Sequence, residues 1–250
     1  MAIQASDIKV YGSASMPDDD AATNIGGAIN TGIKVEFTDI APAGQVEMFS
    51  SSAADTTQQV TITGRNAAGE IVTETKNLNG TTVVAFTTTF ERILKIVMSA
   101  VAVGTITVRE SVGAEVLITI EPGITQVRKV FYNAVAPSEG SIDFYEKIFF
   151  KNTHASLTLT EAKISEYADP SGKITFALEN ALDGTDTNGV GNNRYVAPAG
   201  YTFNNTEKNV ANSGNHTAEK AQGVWLKLTL TSTDEPTKTT YTLRESGVTI

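Results

Sequence analysis

Two histidines, no cysteine and a few clustered acids are the side chains from which any chemistry in this chain would be built. His154 stands in the turn-like stretch Asn152-Thr153-His154-Ala155-Ser156, and His216 in an Asn-rich loop. Neither belongs to an H-x-H, H-E-x-x-H or Cys/His spacing, so neither points to zinc or to general-base catalysis. The sequence contains no G-x-S-x-G elbow, no G-x-G-x-x-G turn and no P-loop, which argues against a serine hydrolase or a nucleotide site. Asp18-Asp19-Asp20 offers the hard oxygens that Ca2+ takes, but adjacent acids on a polar segment read first as a solvated run. The loop Asp183-Gly184-Thr185-Asp186-Thr187-Asn188-Gly189 has a partial EF-hand spacing. It fails at the first ligand position, Gly184, and at the twelfth, Tyr195. Asp183, Asp186 and Asn188 remain a looser oxygen set, and ordinary turn chemistry accounts for the same residues. A glycosidase needs two carboxylates across a cleft, and no spacing identifies such a pair. The expectation is a protein that is not an enzyme, with no catalytic residues, metal or cofactor.

Trp225, the lone tryptophan, carries more information. In Val224-Trp225-Leu226-Lys227-Leu228-Thr229-Leu230 the four aliphatics share one face of a strand, which leaves Trp225 on the other with Lys227 and Thr229. A tryptophan on a nominally wet face covers something: a loop of its own chain, another subunit, or a sugar ring.

The elements that must position these residues are strands. Thr occurs 35 times, and β-branched residues are stiff at χ1 and fit a pleated surface. Val60 and Ile62 alternate with Thr61 and Thr63, a turn follows over 64–69, and 70–75 runs back. Asn79-Gly80 is a hairpin signal with a strand expected over 81–88. The run 90–103 reads as strand, because Ile93, Ile96 and Val97 are β-branched. Leu157/Leu159, Ile174/Phe176/Leu178 and Val224/Leu226/Leu228/Leu230 show period 2 with one apolar face, the pattern of antiparallel sheets packed face to face. Residues 180–222 read as loops with one short strand near Tyr201-Thr202-Phe203. Thr107-Val108-Arg109-Glu110-Ser111 returns as Thr242-Leu243-Arg244-Glu245-Ser246, each copy closing a Thr-rich alternating run, which suggests two β modules in series.

The organisation expected is all-β: two antiparallel β-sandwich modules, immunoglobulin-like or jelly-roll, over 32–121 and 122–250, preceded by an extended N-terminal arm over 1–31. That opening stretch holds a short apolar piece, Ile8-Lys9-Val10-Tyr11, on a polar ribbon with neither helical nor strand period. It reads either as a flexible tail or as an arm ordered by lying across a neighbouring subunit. Ile8, Val10 and Tyr11 on the arm, and Trp225 and Lys227 on the strand face, are the candidate interface residues.

The balance of 19 basic against 28 acidic residues, net charge −9 and pI near 4.8, makes nucleic acid and anionic membrane poor partners. No apolar run of transmembrane length and no basic-then-apolar leader is visible. The absence of cysteine rules out disulfides and thiolate metal sites, so stability rests on packing and hydrogen bonds.

The string Val60-Thr61-Ile62-Thr63-Gly64-Arg65-Asn66-Ala67-Ala68-Gly69-Glu70, then Thr73-Glu74-Thr75 and Leu78-Asn79-Gly80-Thr81-Thr82, resembles a β module of tailed-bacteriophage virion proteins. The pieces 147–153, 197–203 and 225–227 are similar to a second such module. The opening Ala5-Ser6-Asp7-Ile8-Lys9 with Gly26-Gly27-Ala28 resembles the start of capsid decoration (cement) proteins. The resemblance implies a virion structural protein on the capsid surface, assembled in the host cytoplasm, that binds the major capsid protein, forms a homo-oligomer and braces the head. It transfers no binding residue. The alternatives are a tail, baseplate or fibre protein, and a carbohydrate-binding module with Trp225, Tyr195 and Tyr201 as an aromatic platform.

Overall fold

The computed structural model describes residues 2–131, 134–235 and 240–249. Its strands are β1 (Ile8–Ser15), β2 (Gly26–Lys34), β3 (Val46–Ser50), β4 (Gln59–Arg65), β5 (Ile71–Asn77), β6 (Val84–Ala85), β7 (Arg92–Met98) and β8 (Ile106–Glu110). They continue as β9 (Val116–Ile120), β10 (Gln126–Arg128), β11 (Ser141–Asn152), β12 (Leu159–Ala168), β13 (Ile174–Leu182), β14 (Lys208–Asn209), β15 (Ala221–Thr231) and β16 (Thr242–Thr249). Among the described residues helix is confined to two single turns, Ala5–Asp7 and Ala211–Gly214. Among the described residues no helix is long and apolar enough to cross a membrane. The all-β expectation holds, with antiparallel sheets of the kind that build sandwiches.

The chain forms two compact units, the first of Met1–Asn30 with Phe131–Ile250 and the second of Thr31–Val130. The boundary between the modules falls near 130, close to the expected 122, and the first thirty residues lie in the same unit as the C-terminal module instead of forming a separate arm. Met1 of that opening stretch lies outside the described residues.

The physical reason lies in β1. It pairs antiparallel with β11 from Ile8↔Asn152 to Gly12↔Ile148, and Tyr11, Gly12 and Ser13 are buried. Main-chain ladder bonds need no side-chain pattern, and Gly12, Ser13, Ala14 and Ser15 carry no hydropathy signal that could have announced a strand.

In the first unit the sheet order is β13-β15-β11-β1, followed by the opening residues of β2. β11 and β15 pair along their length, from Ser141↔Thr231 to Lys151↔Ala221. Both are interior strands. That is why β15 buries every residue from Ala221 to Leu226 instead of alternating, and why β11 is buried from Phe144 through Phe150. A strand covered on both faces reads as a continuous buried run. A second, three-stranded sheet has order β14-β12-β16. The expected strand at Tyr201-Thr202-Phe203 is absent; the short strand of that region is β14.

In the second unit β10, β7, β4 and β5 are neighbours in that order, and the end of β2 pairs in parallel with β10 (Gln126↔Ile33). A four-stranded sheet of order β6-β3-β8-β9 completes it. Val60 and Ile62 are fully buried and Thr61 is only partly covered, as the alternation predicts, but Thr63 is buried as well. The run 90–103 does contain a strand, β7. Asn79-Gly80 makes its turn, closed by the Thr82 N–H on the Asn79 carbonyl at 3.0 Å, but the strand after it, β6, is only two residues long. The two copies of the repeat are both in strands, β8 and β16. Their settings differ: β8 lies between β3 and β9, whereas β16 pairs with β12 at the end of its sheet.

Candidate functional site

β11 carries adjacent charges, Glu146 and Lys147, and alternation sends them to opposite faces of the sheet. Both are fully buried. Lys147 Nζ donates to Glu179 Oε1 at 2.5 Å, to the Gly27 carbonyl at 2.7 Å and to the Asp186 carbonyl at 3.0 Å. The Gly184 carbonyl lies further off at 3.4 Å, so all three ammonium hydrogens have an acceptor. Burial pushes the Lys147 ammonium below the usual lysine range against the pull of Glu179, and burial pushes the Glu179 carboxyl up. Glu179 fits because Gly223 and Gly184 have no side chains: a Cβ at either would overlap its Oε2.

On the other side Glu146 Oε1 lies 3.0 Å from Arg194 Nη2, and Arg194 Nη1 reaches Asp20 at 2.6 Å. Arg194 also donates to the Pro17 carbonyl, and its own carbonyl accepts the Tyr145 N–H of β11 at 2.9 Å. Breaking a buried pair of this kind by removing one partner costs about 3–5 kcal/mol. The two pairs therefore fasten the loop after β13 and the segment 17–27 to the sheet.

Trp225 faces Lys147 across the β11–β15 ladder and Ala177 across the β13–β15 ladder. It is completely buried, packed with Ile25, Ala177, Tyr201 and Phe203. Gly26, at φ +104°, lies so close to the indole that a Cβ would come within 2.7 Å of it. Of the three covers weighed for this tryptophan, its own chain supplies the one observed. The interface assignment is corrected for Trp225 and for Tyr11, whose exposure is 9%. Ile8 and Val10 are half-buried in β1, and Lys227 forms an ion pair with Asp143 at 3.0 Å. Trp225, Tyr195 and Tyr201 do not form one exposed platform, since Trp225 is covered, Tyr201 packs against it and the exposed Tyr195 packs edge-on against Phe144.

The histidines are structural. His154 Nδ1 accepts the N–H groups of Ser156 at 3.2 Å and Leu157 at 3.0 Å, closing a turn. His216 is buried, with Nδ1 2.5 Å from Glu245 Oε1 and Nε2 2.9 Å from the Lys220 carbonyl. A carbonyl only accepts, so Nε2 carries a hydrogen and the ring ties β16 to the turn before β15. The loose oxygen set does not converge. Asp183 accepts the Ala221 N–H at 2.9 Å, Asp186 the Tyr201 hydroxyl at 2.5 Å and Asn188 the Ile25 N–H at 2.9 Å. The described residues contain no group of three or more His, Cys, Asp or Glu placed to hold a metal ion.

The second unit has one comparable knot, at Asp55, which is fully buried. It accepts from Ser50 Oγ at 2.5 Å, Gln58 at 3.1 Å, and the N–H groups of Val103 at 2.8 Å and Gly104 at 2.9 Å. Burial alone would raise its pKa, but these four donors outweigh it and hold the carboxyl below the usual range.

The first unit also has an open cleft of about 450 Å3 beside β13. One wall is the turn Ala211–Gly214, which is left-handed: Asn212 has φ 58°, Ser213 φ 56° and Gly214 φ 78°. A non-glycine residue in this region costs about 1–3 kcal/mol and persists only where the surroundings over-determine it. Here the Ala211 N–H donates to the side chain of the buried Gln222 at 2.7 Å, and the Gly214 N–H to the Val210 carbonyl at 2.9 Å. Gln222 in turn donates to the carbonyls of Glu179 and Gly223. Sequence reasoning passed over this wall. Its only signal is Ala-Asn-Ser-Gly, in which Asn and Gly both tolerate positive φ.

Together these features define an all-β protein whose buried charges brace loops onto sheets. No family model, curated protein or solved structure matches the chain.

Proposed function

We propose that this chain is a non-enzymatic structural protein of a tailed-bacteriophage particle, and specifically a decoration protein on the outer capsid lattice. The observation that carries the reading is where the reactive groups are engaged. Lys147, Glu179, Glu146, Arg194, His216, Glu245 and Asp55 are buried and bound to one another or to backbone, fastening loops to sheets. Groups used in this way supply rigidity, which a shell-bracing protein needs. The resemblance of the β4–β5 hairpin and the segment after it to virion modules supports the same reading. So does the acidic balance, since packaged DNA repels a protein of net charge −9. Partners on this reading are the major capsid protein and further copies of the chain. Binding would be the sum of modest contacts repeated by symmetry. The second unit offers Val101, Val103, Val112 and Val116, each at least half exposed, as contact residues.

The test is co-sedimentation of the purified chain with heads of the parent phage assembled without it, followed by cryo-EM of the pellet. Regular protrusions over the shell are expected. Density confined to the tail or baseplate would move the protein to those structures, and an empty pellet would overturn the reading.

A further inference from the structure

The cleft beside β13 has a lining suited to one kind of ligand. Asn180, Thr202, Asn209 and Ser213 border it. All four are exposed, and their side chains make no hydrogen bond to any described residue. Asn212 and the half-buried ring of Tyr201 complete the rim. Each amide carries donors and an acceptor, and each hydroxyl carries both. This pattern matches neighbouring hydroxyls on a sugar ring, which also donate and accept.

The charges near the cleft are already engaged. Lys208 Nζ donates to the Asn204 carbonyl at 3.1 Å, the Asn204 side chain at 2.5 Å and the Thr206 carbonyl at 3.0 Å, and sits 4.1 Å from the Phe176 ring centroid. Its three hydrogens are used, so it does not favour a phosphate or carboxylate. Glu179 is held by Lys147.

The rim is also rigid. The left-handed turn that presents Asn212 and Ser213 is pinned through Gln222, which has no exposure to solvent. Strained backbone held by buried side chains is a recurring feature of ligand clamps, because a pre-ordered wall loses little entropy on binding. The volume, about 450 Å3, lies within the range of small-molecule clefts.

We propose that this cleft binds a neutral saccharide, through Asn180, Asn209, Asn212 and Ser213 and over the ring of Tyr201. The site does not use Trp225 itself, which is covered, and the inference does not depend on a position in the virion.

The full chain is applied to an array of neutral and anionic glycans, and the best neutral oligosaccharide is titrated by calorimetry. A dissociation constant on the order of 0.1–1 mM is expected, as for a small site with few hydrogen bonds. The double variant Asn180→Ala/Asn209→Ala should weaken binding by roughly tenfold or more. Both positions are exposed and outside the buried networks, so an unchanged melting curve confirms that the fold is kept. Ser213→Ala, tested separately, should weaken the same glycan. Retention of no neutral glycan by the wild-type chain would overturn the proposal. Preference for anionic glycans, or equal binding by the double variant, would overturn it as well.

Discussion

Changing Glu179 to glutamine leaves the Lys147 ammonium buried without its counter-charge. In the native protein the two side chains are 0% and 1% exposed and 2.5 Å apart. An exposed pair would contribute at most about 1 kcal/mol. Here neither charge can turn to water, so loss of one partner should cost about 3–5 kcal/mol. For a chain of this size, about 2–4 °C is lost per kcal/mol, which puts the drop in melting temperature at roughly 6–20 °C. Lys147→Met should cost a similar amount, because Glu179 is then the stranded charge. The double variant Lys147→Met/Glu179→Met should be more stable than either single one, since no charge is left buried. Trp225 is the sole tryptophan, and its ring lies 5.7 Å from Lys147 Nζ. Its fluorescence during urea unfolding therefore reports on this unit. Single variants that cost less than about 1 kcal/mol, or a double variant as damaging as the sum of the singles, would refute the bracing argument.

Three further outcomes are expected. Gly223→Ala should destabilise the first unit by about 2–4 kcal/mol, because the new Cβ would occupy the place of Glu179 Oε2; a wild-type urea midpoint would contradict the close packing described. Burial would raise the pKa of Glu74, but hydrogen bonds from Thr88 and Thr87 and from Lys76 outweigh it, and the folded value falls from 4.5 to about 2. A depressed folded pKa means stability that is present above pH 4.5 and lost as pH falls toward 2. Hydrogen exchange of β4 and β5 amides should report this loss, and Glu74→Gln should abolish it. Deleting residues 1–30 should leave the first unit unable to fold, since β11 loses its neighbour β1, Arg194 loses Asp20, and Trp225 loses Ile25 and Gly26. A truncated chain with native Trp225 fluorescence would show that the segment is dispensable.

Much of the strand content could be read from local pattern. Val60/Ile62 and Ile174/Phe176 alternate and are buried where alternation puts them. The bracing pairs were hidden because their partners are distant: Lys147 and Glu179 are 32 residues apart, and Asp20 and Arg194 are 174 apart. One local sign existed. Glu146 and Lys147 interrupt the apolar run Phe144-Tyr145-Glu146-Lys147-Ile148-Phe149-Phe150, and charges inside a strand buried on both faces must find partners.

By itself, the sequence determined what depends on neighbours along the chain: an all-β protein, acidic, free of cysteine and turning at Asn79-Gly80. Side-chain period and turn preference act over a few residues, so they survive in any local reading. Tertiary structure alone decided that β1 joins a sheet instead of reaching outward, that Trp225 is covered by its own chain, and that the turn at Asn212–Gly214 walls a cleft. Each of these rests on contacts between segments far apart in sequence, and hydrophobic patterning says that a face must be covered without saying by what.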